Sequence, residues 1–217
     1  MAQGPVETLY NVVSLSSEAS AEVDNDLLSA VLAVQHEDKE PAVLADKVNA
    51  SMVWAVNKLR PYSSLTIKTR EYQTYPRYDT SQSRRLIGWR ATQTLQIQTD
   101  DFESAGKAIQ ILQERLQVQS IQLSVKPETR RTASDNLINQ ALTSFKDRAR
   151  LVQKNMGAAG FRVLDIDIQS DQGGSPGYSM RAEMQDNLRS SAMVSQPAVE
   201  AGTSRVMVRV HGRVQLE

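Results

Sequence analysis

Residues 205–216 alternate so strictly that only an extended strand with one dry and one wet face accommodates them. Val206, Val208, Val210, Val214 and Leu216 fall on one side, interrupted only by Gly212, while Arg205, Met207, Arg209, His211, Arg213 and Gln215 fall on the other. Successive side chains of a strand point to opposite faces, whereas a helix would scatter this pattern round its circumference. A second stretch behaves the same way: Trp89, Ala91, Leu95 and Ile97 oppose Arg90, Thr92, Thr94, Gln96 and Gln98. The apolar side of each strand needs a cover, and the rest of the chain supplies helices to provide it.

The first helical stripe follows Pro41, a residue tolerated in a first turn, and comprises Leu44, Val48, Met52, Ala55 and Leu59, closed by Pro61. The second begins at Asp100 with Glu103 three residues on, a capping-box pattern, and continues through Phe102, Ala105, Ile109, Leu112 and Leu116. The third and longest runs from Glu128 to Met156 with Leu137, Ala141, Phe145, Ala149, Val152 and Met156 on one face, and ends at Gly157 and Gly160. Five more strands surround these helices. Thr8 to His36 reads as two long strands joined as a hairpin at Asp24-Asn25-Asp26, because Asp and Asn tolerate tight-turn conformations. Leu65 to Tyr78 pairs with Leu86 to Thr99 through a polar turn at Asp79 to Ser83. Ile121 to Val125 is a short strand, and Phe161 to Ile168 another, with Leu164, Ile166 and Ile168 opposite Asp165 and Asp167.

The order ββαββαβαββ lacks the regular βα alternation of a doubly wound sheet. It predicts an α+β fold, mostly antiparallel, with helices packed on one face. We expect a single domain over residues 1–217, with a loop-rich insertion at about 171–203 where Gly173, Gly174, Pro176, Gly177, Pro197 and Gly202 interrupt every periodicity. A chain of 217 residues can bury roughly 70% of its unfolded surface, enough for a substantial core.

Composition removes several function classes. Lys plus Arg (25) balances Asp plus Glu (25), so the chain has no long-range positive field of the kind that draws nucleic acid, and nucleic acid is not an expected partner. Cysteine is absent, which excludes disulfides, thiolate catalysis and Cys-ligated zinc. No apolar run reaches the roughly 20 residues of a transmembrane helix. The start, Met1-Ala2-Gln3-Gly4-Pro5, has neither a basic region nor an apolar one, so an exported form would have lost its signal peptide before this point.

The segment Ile87-Gly88-Trp89-Arg90-Ala91-Thr92-Gln93-Thr94-Leu95-Gln96-Ile97, followed by Asp100, resembles the I-x-G-aromatic-x-A-x-x-x-L-x-V strand of SIMPL-domain proteins. Thr69, Tyr72, Pro76 and Tyr78 resemble that family's T-x-x-Y and P-x-Y positions. Pro197-Ala198-Val199-Glu200-Ala201-Gly202 is similar to its P-V-E-x-G lead into the last strand. Element order agrees from about Tyr10 to Leu216. Two departures bear on subfamily: Val23-Asp24-Asn25-Asp26 replaces the usual P-D turn, and the long helix is less alanine-rich. The resemblance implies a secreted, periplasmic or peripherally outer-membrane-associated protein of the bacterial cell envelope, linked to oxidative-stress defence and tending to form homo-oligomers. It carries no catalytic residues to this chain.

The residues themselves offer little chemistry. His36 and His211 lack acidic or histidine neighbours at ligand spacing, so no metal and no cofactor is expected. No G-x-S-x-G elbow supports a hydrolase. Asp165 and Asp167 share a strand face, where a solvated edge explains them better than acid/base work or a cation. Asp24-Asn25-Asp26 lacks the spaced ligands of a calcium loop, and Gly173-Gly174-Ser175-Pro176-Gly177 lacks the Lys-Ser/Thr of a phosphate loop. The sequon Asn49-Ala50-Ser51 falls inside a predicted helix. Two features remain as a candidate interaction surface: Arg205, Arg209, His211 and Arg213 on one face of the last strand, and Met180, Met184 and Leu188 at four-residue spacing in the insertion. The expected function is therefore non-enzymatic self-association, with a periplasmic binding module for a small ligand or partner protein as the alternative and a cryptic enzyme behind both.

Overall fold

The computed structural model describes residues 10–79, 85–170 and 201–217. Its elements are β1 (Val12–Asp24), β2 (Leu27–Asp38), α1 (Pro41–Leu59), β3 (Thr66–Tyr78), β4 (Leu86–Thr99), α2 (Phe102–Leu112), β5 (Gln117–Ser124), α3 (Pro127–Asn155), β6 (Phe161–Ser170) and β7 (Thr203–Leu216). The α+β class and the element order are those the periodicities predict. The strands divide between two antiparallel sheets, ordered β1-β7-β6 and β3-β4-β2-β5. The chain correspondingly forms two compact units, each with its own core.

This division corrects the expected hairpin at Asp24-Asn25-Asp26. β1 spends its whole length on β7, from Val12 opposite Gln215 to Asp24 opposite Thr203, while β2 lies between β4 and β5 in the other sheet. The polar residues between them serve as anchors rather than as a tight turn. Asn25 donates its backbone N–H to Gly202 O at 3.1 Å and its side-chain amide to Ala201 O at 2.8 Å, and Asp26 N–H reaches Ser124 O at 3.1 Å. Long-range ladder bonds win over local turn propensity because each buried backbone group must find a partner.

The unit built on β3-β4-β2-β5 is roofed by α1 and α2. Leu28, Ala30, Leu32 and Val34 of β2 and Ala91, Leu95 and Ile97 of β4 meet Leu44, Val48, Ala55 and Leu59 of α1 and Ala105, Ile109 and Leu112 of α2, all essentially without solvent contact. Each large aliphatic side chain so buried contributes about 1.5–3 kcal/mol. Trp54 of α1 lies beneath the Arg115 guanidinium, 4.7 Å from the ring centre, at the end of α2. The glycine of the Ile87-Gly88-Trp89 motif has a packing cause: a Cβ on Gly88 would stand 2.9 Å from the Asp38 carbonyl oxygen.

Two sequence expectations about α2 need correction. Its cap is Asp101, whose carboxylate accepts from Ser104 N–H at 3.0 Å, and not Asp100. Asp101 is the residue directly before the first helical one, the position from which a side-chain oxygen reaches the first-turn N–H groups. Leu116, placed by its spacing on the helical stripe, lies beyond the last helical residue yet is buried with the same core.

The other unit is simpler. α3 has 29 residues and so extends about 44 Å. Its Leu137, Ala141, Phe145 and Ala149 pack on Val206, Val208, Val210 and Val214 of β7, with Val13, Leu15 and Ala19 of β1 alongside. Buried Ser17 sits among these apolar side chains because its hydroxyl donates to Ala141 O at 2.7 Å. Gly212 breaks the valine pattern for steric reasons: a Cβ there would lie 2.9 Å from Phe145 Cζ and 2.6 Å from Asp165 O. The Phe145 ring occupies the space that a sixth β7 side chain would have filled.

Candidate interaction surface

The face of β7 turned away from α3 carries Arg205, Arg209, His211 and Arg213, as its alternation predicts. Their cross-strand neighbours give this face its character. On one flank β1 places Glu22 opposite Arg205, Glu18 opposite Arg209 and Ser16 opposite His211. On the other flank β6 places Asp165 opposite Arg213, Asp167 opposite His211 and Gln169 opposite Arg209. The two strands on which the sequence put basic and acidic groups are thus true neighbours.

Arg213 and Arg209 close on the carboxylates set opposite them, while Arg205 turns to Ser20 on the diagonal. Arg213 Nε donates to Asp165 Oδ2 at 2.7 Å, Arg209 approaches Glu18 at 3.4 Å, and Arg205 donates to Ser20 Oγ at 2.9 Å. The Arg213 hydrogen bond holds the Asp165 carboxyl below its ordinary pKa, and Asp165 in turn raises that of Arg213. Arg162 joins the face through Gln215 Oε1 at 2.8 Å. Four arginines (Arg162, Arg205, Arg209, Arg213) therefore share the face with six carboxylates (Glu18, Glu22, Asp24, Asp165, Asp167 and Glu217, the last beside Arg162), a mixed surface with a small acidic excess. Such a face largely neutralises itself and has little long-range attraction for a charged partner.

His36 is a structural link: its Nε2 lies 2.9 Å from Ser51 Oγ, joining β2 to α1, and Ser51 is further tied to Lys47 O at 3.0 Å. Among the described residues no group of three His, Cys, Asp or Glu side chains converges to hold a metal, and no helix is long and apolar enough to cross a membrane. Met180, Met184 and Leu188, with the rest of 171–200, lie outside the described residues.

The structure adds two features that the sequence reading passed over. β6 is a sheet edge on which Val163, Ile166 and Ile168 stay about two-fifths exposed, because α3 lies over β1 and β7 and barely reaches β6. β3, the edge of the other sheet, exposes Tyr72, Tyr75 and Tyr78, with Leu86 and Ile87 of β4 beside its far end. Glu37 of β2 accepts from both Arg77 and Arg90 on the open face there, the latter at 2.8 Å. Pro76 within β3 was the legible sign, since proline in a strand is confined to edges, first residues and bulges. The bulge between Thr69 and Tyr72 leaves a shallow depression lined by Ile67, Lys68, Thr69, Arg70 and Glu71.

Helices packed on one side of antiparallel sheets, with ion pairs on the open faces, are what the described residues of each unit present. The model of the SIMPL family, described as a protein of unknown function (DUF541), matches residues 13–214, and the chain belongs to that family. No curated protein matches the chain.

Proposed function

We propose that this protein is a non-enzymatic component of the bacterial cell envelope that works by self-association, placed in the periplasm and serving oxidative-stress defence. The observation that carries self-association is the pair of edge strands β3 and β6, which have no outer neighbour among the described residues and on which apolar side chains are exposed. Exposed apolar edges are templates for further strand pairing, and monomeric proteins usually cover or charge them. The envelope location and the stress role rest on the family resemblance alone. The alternative of a ligand-binding module asks for a cavity between sheet and helices. That reading is disfavoured because Leu28, Leu32, Leu44, Val48, Leu95 and Ile109 fill the layer beneath α1 and α2 with dense aliphatic packing.

Static light scattering on the purified chain over a hundredfold concentration range tests the central part. Self-association predicts a molar mass several times the 24.1 kDa of one chain at the upper end. A mass that stays at one chain throughout removes it.

A further inference from the structure

The four sheet edges are not equivalent. None of the exposed large hydrophobic side chains lies on β1 or β5, so the sticky edges are β3 and β6. Their charges are opposite. β3 carries Lys68, Arg70 and Arg77 against Glu71, and β6 carries Asp165 and Asp167 against Arg162. Arg77 is occupied by Glu37 and Asp165 by Arg213. What remains without an ion pair among the described residues is Lys68, Arg70 and Glu71 on one edge, a net positive charge with Arg70 bonded to the Gln96 amide and Glu71 to the Gln73 amide, and Asp167 on the other, bonded to the Gln169 amide.

In the registers centred on its acidic stretch, the β6 edge fits its own copy poorly. A β6 strand paired antiparallel with its own copy about Ile166 sets Asp165 against Asp167 twice, and about Asp167 it sets that carboxylate against itself. Like charges directly across a strand pair are destabilising. Unlike edges fit on both faces at once. Asp167 and Lys68 each lie on the uncovered face of their sheet, while Ile166 and Ile168, like Ile67 and Tyr72, lie on the helix-covered face. With the two uncovered faces continuous, the carboxylate meets the cations and the isoleucines meet Ile67 and Tyr72 at the depression beside the β3 bulge.

We propose that the β6 edge of one copy docks on the β3 edge of a second copy, giving a head-to-tail contact. This rests on the self-association reading and specifies its interface. Because donor and acceptor edges differ, each copy keeps one of each free, and the contact repeats until a ring closes or a chain grows.

The test uses two variants of the full chain, Asp167→Lys and Lys68→Glu/Arg70→Glu, in sedimentation velocity alongside the wild type. All three positions are solvent-exposed, and unchanged far-UV circular dichroism and Tm show that the variants fold. Each variant alone should assemble only at concentrations roughly tenfold above the wild type, corresponding to a weakening of about 1.4 kcal/mol per contact. An equimolar mixture of the two should recover most of the wild-type mass, because it offers one native and one swapped but complementary contact. A wild type that is monomeric throughout overturns self-association itself. A wild type that assembles while the variants match it, or variants that fail without rescue on mixing, overturns the β6-to-β3 contact and leaves self-association standing.

Discussion

Phe145 and Gly212 form one steric unit, and neither can be changed without regard to the other. Gly212→Ala forces a methyl against the ring and against Asp165 O, and should destabilise the chain by about 1–3 kcal/mol. Phe145→Ala should cost about 3–5 kcal/mol through the cavity it leaves. In the Phe145→Ala background, Gly212→Ala should cost less than alone, since one of its two obstacles has gone; urea unfolding of the four proteins gives the coupling directly. The glycine's place in the valine pattern was visible in the sequence, but its cause was not, because Phe145 comes 67 residues earlier on a different element. Asp165 gives a second test at this scale. Its carboxyl sits below the ordinary value of 3.8 because Arg213 donates to it. The lowered pKa means that the pair contributes stability above the unfolded-state value, and that the contribution is lost as pH falls through the folded one. The pair is solvent-exposed, so the effect on stability is small and the clean readout is the titration itself. In an NMR titration Asp165 should show a midpoint below 3.8, moving upward toward it in Arg213→Gln.

At the scale of elements, periodicity carried most of the reading and pairing partners carried the errors. The stripes Leu44 to Leu59 and Leu137 to Ala149 and the alternations of β4 and β7 were legible because burial on one face writes itself into sequence at fixed spacing. What periodicity cannot encode is which strand lies beside which. β1 and β2 are adjacent in sequence and separated into different sheets by registers set 190 residues downstream for β1 and about 60 for β2. The α2 start shows the same limit on a smaller scale, since Asp100 and Asp101 are chemically identical and only the backbone path selects the cap. Asp101→Ala should therefore lower Tm by more than Asp100→Ala, measured by thermal circular dichroism, and at low pH the difference should shrink as the Asp101 carboxylate protonates below its ordinary value. The β6 edge shows the same limit. α3 stops short of covering its aliphatic face, and sequence spacing records which residues share a face without recording what covers that face.

For the whole molecule, the proposal is that this chain works through the edges of its sheets. The face of β7 singled out from sequence carries ion pairs with its neighbours on β1 and β6, and the proposed contact surface lies instead on the edge strands β3 and β6. Amide hydrogen exchange, compared between dilute monomer and concentrated assembly, reads this most directly, because strand addition sequesters backbone N–H groups that side-chain contacts leave open. The account predicts slowed exchange confined to Thr66–Tyr78 and Phe161–Ser170, with β1 and β5 unchanged. Protection appearing on β1 or β5 instead, or an assembly that forms with β3 and β6 exchanging as freely as in the monomer, would contradict it.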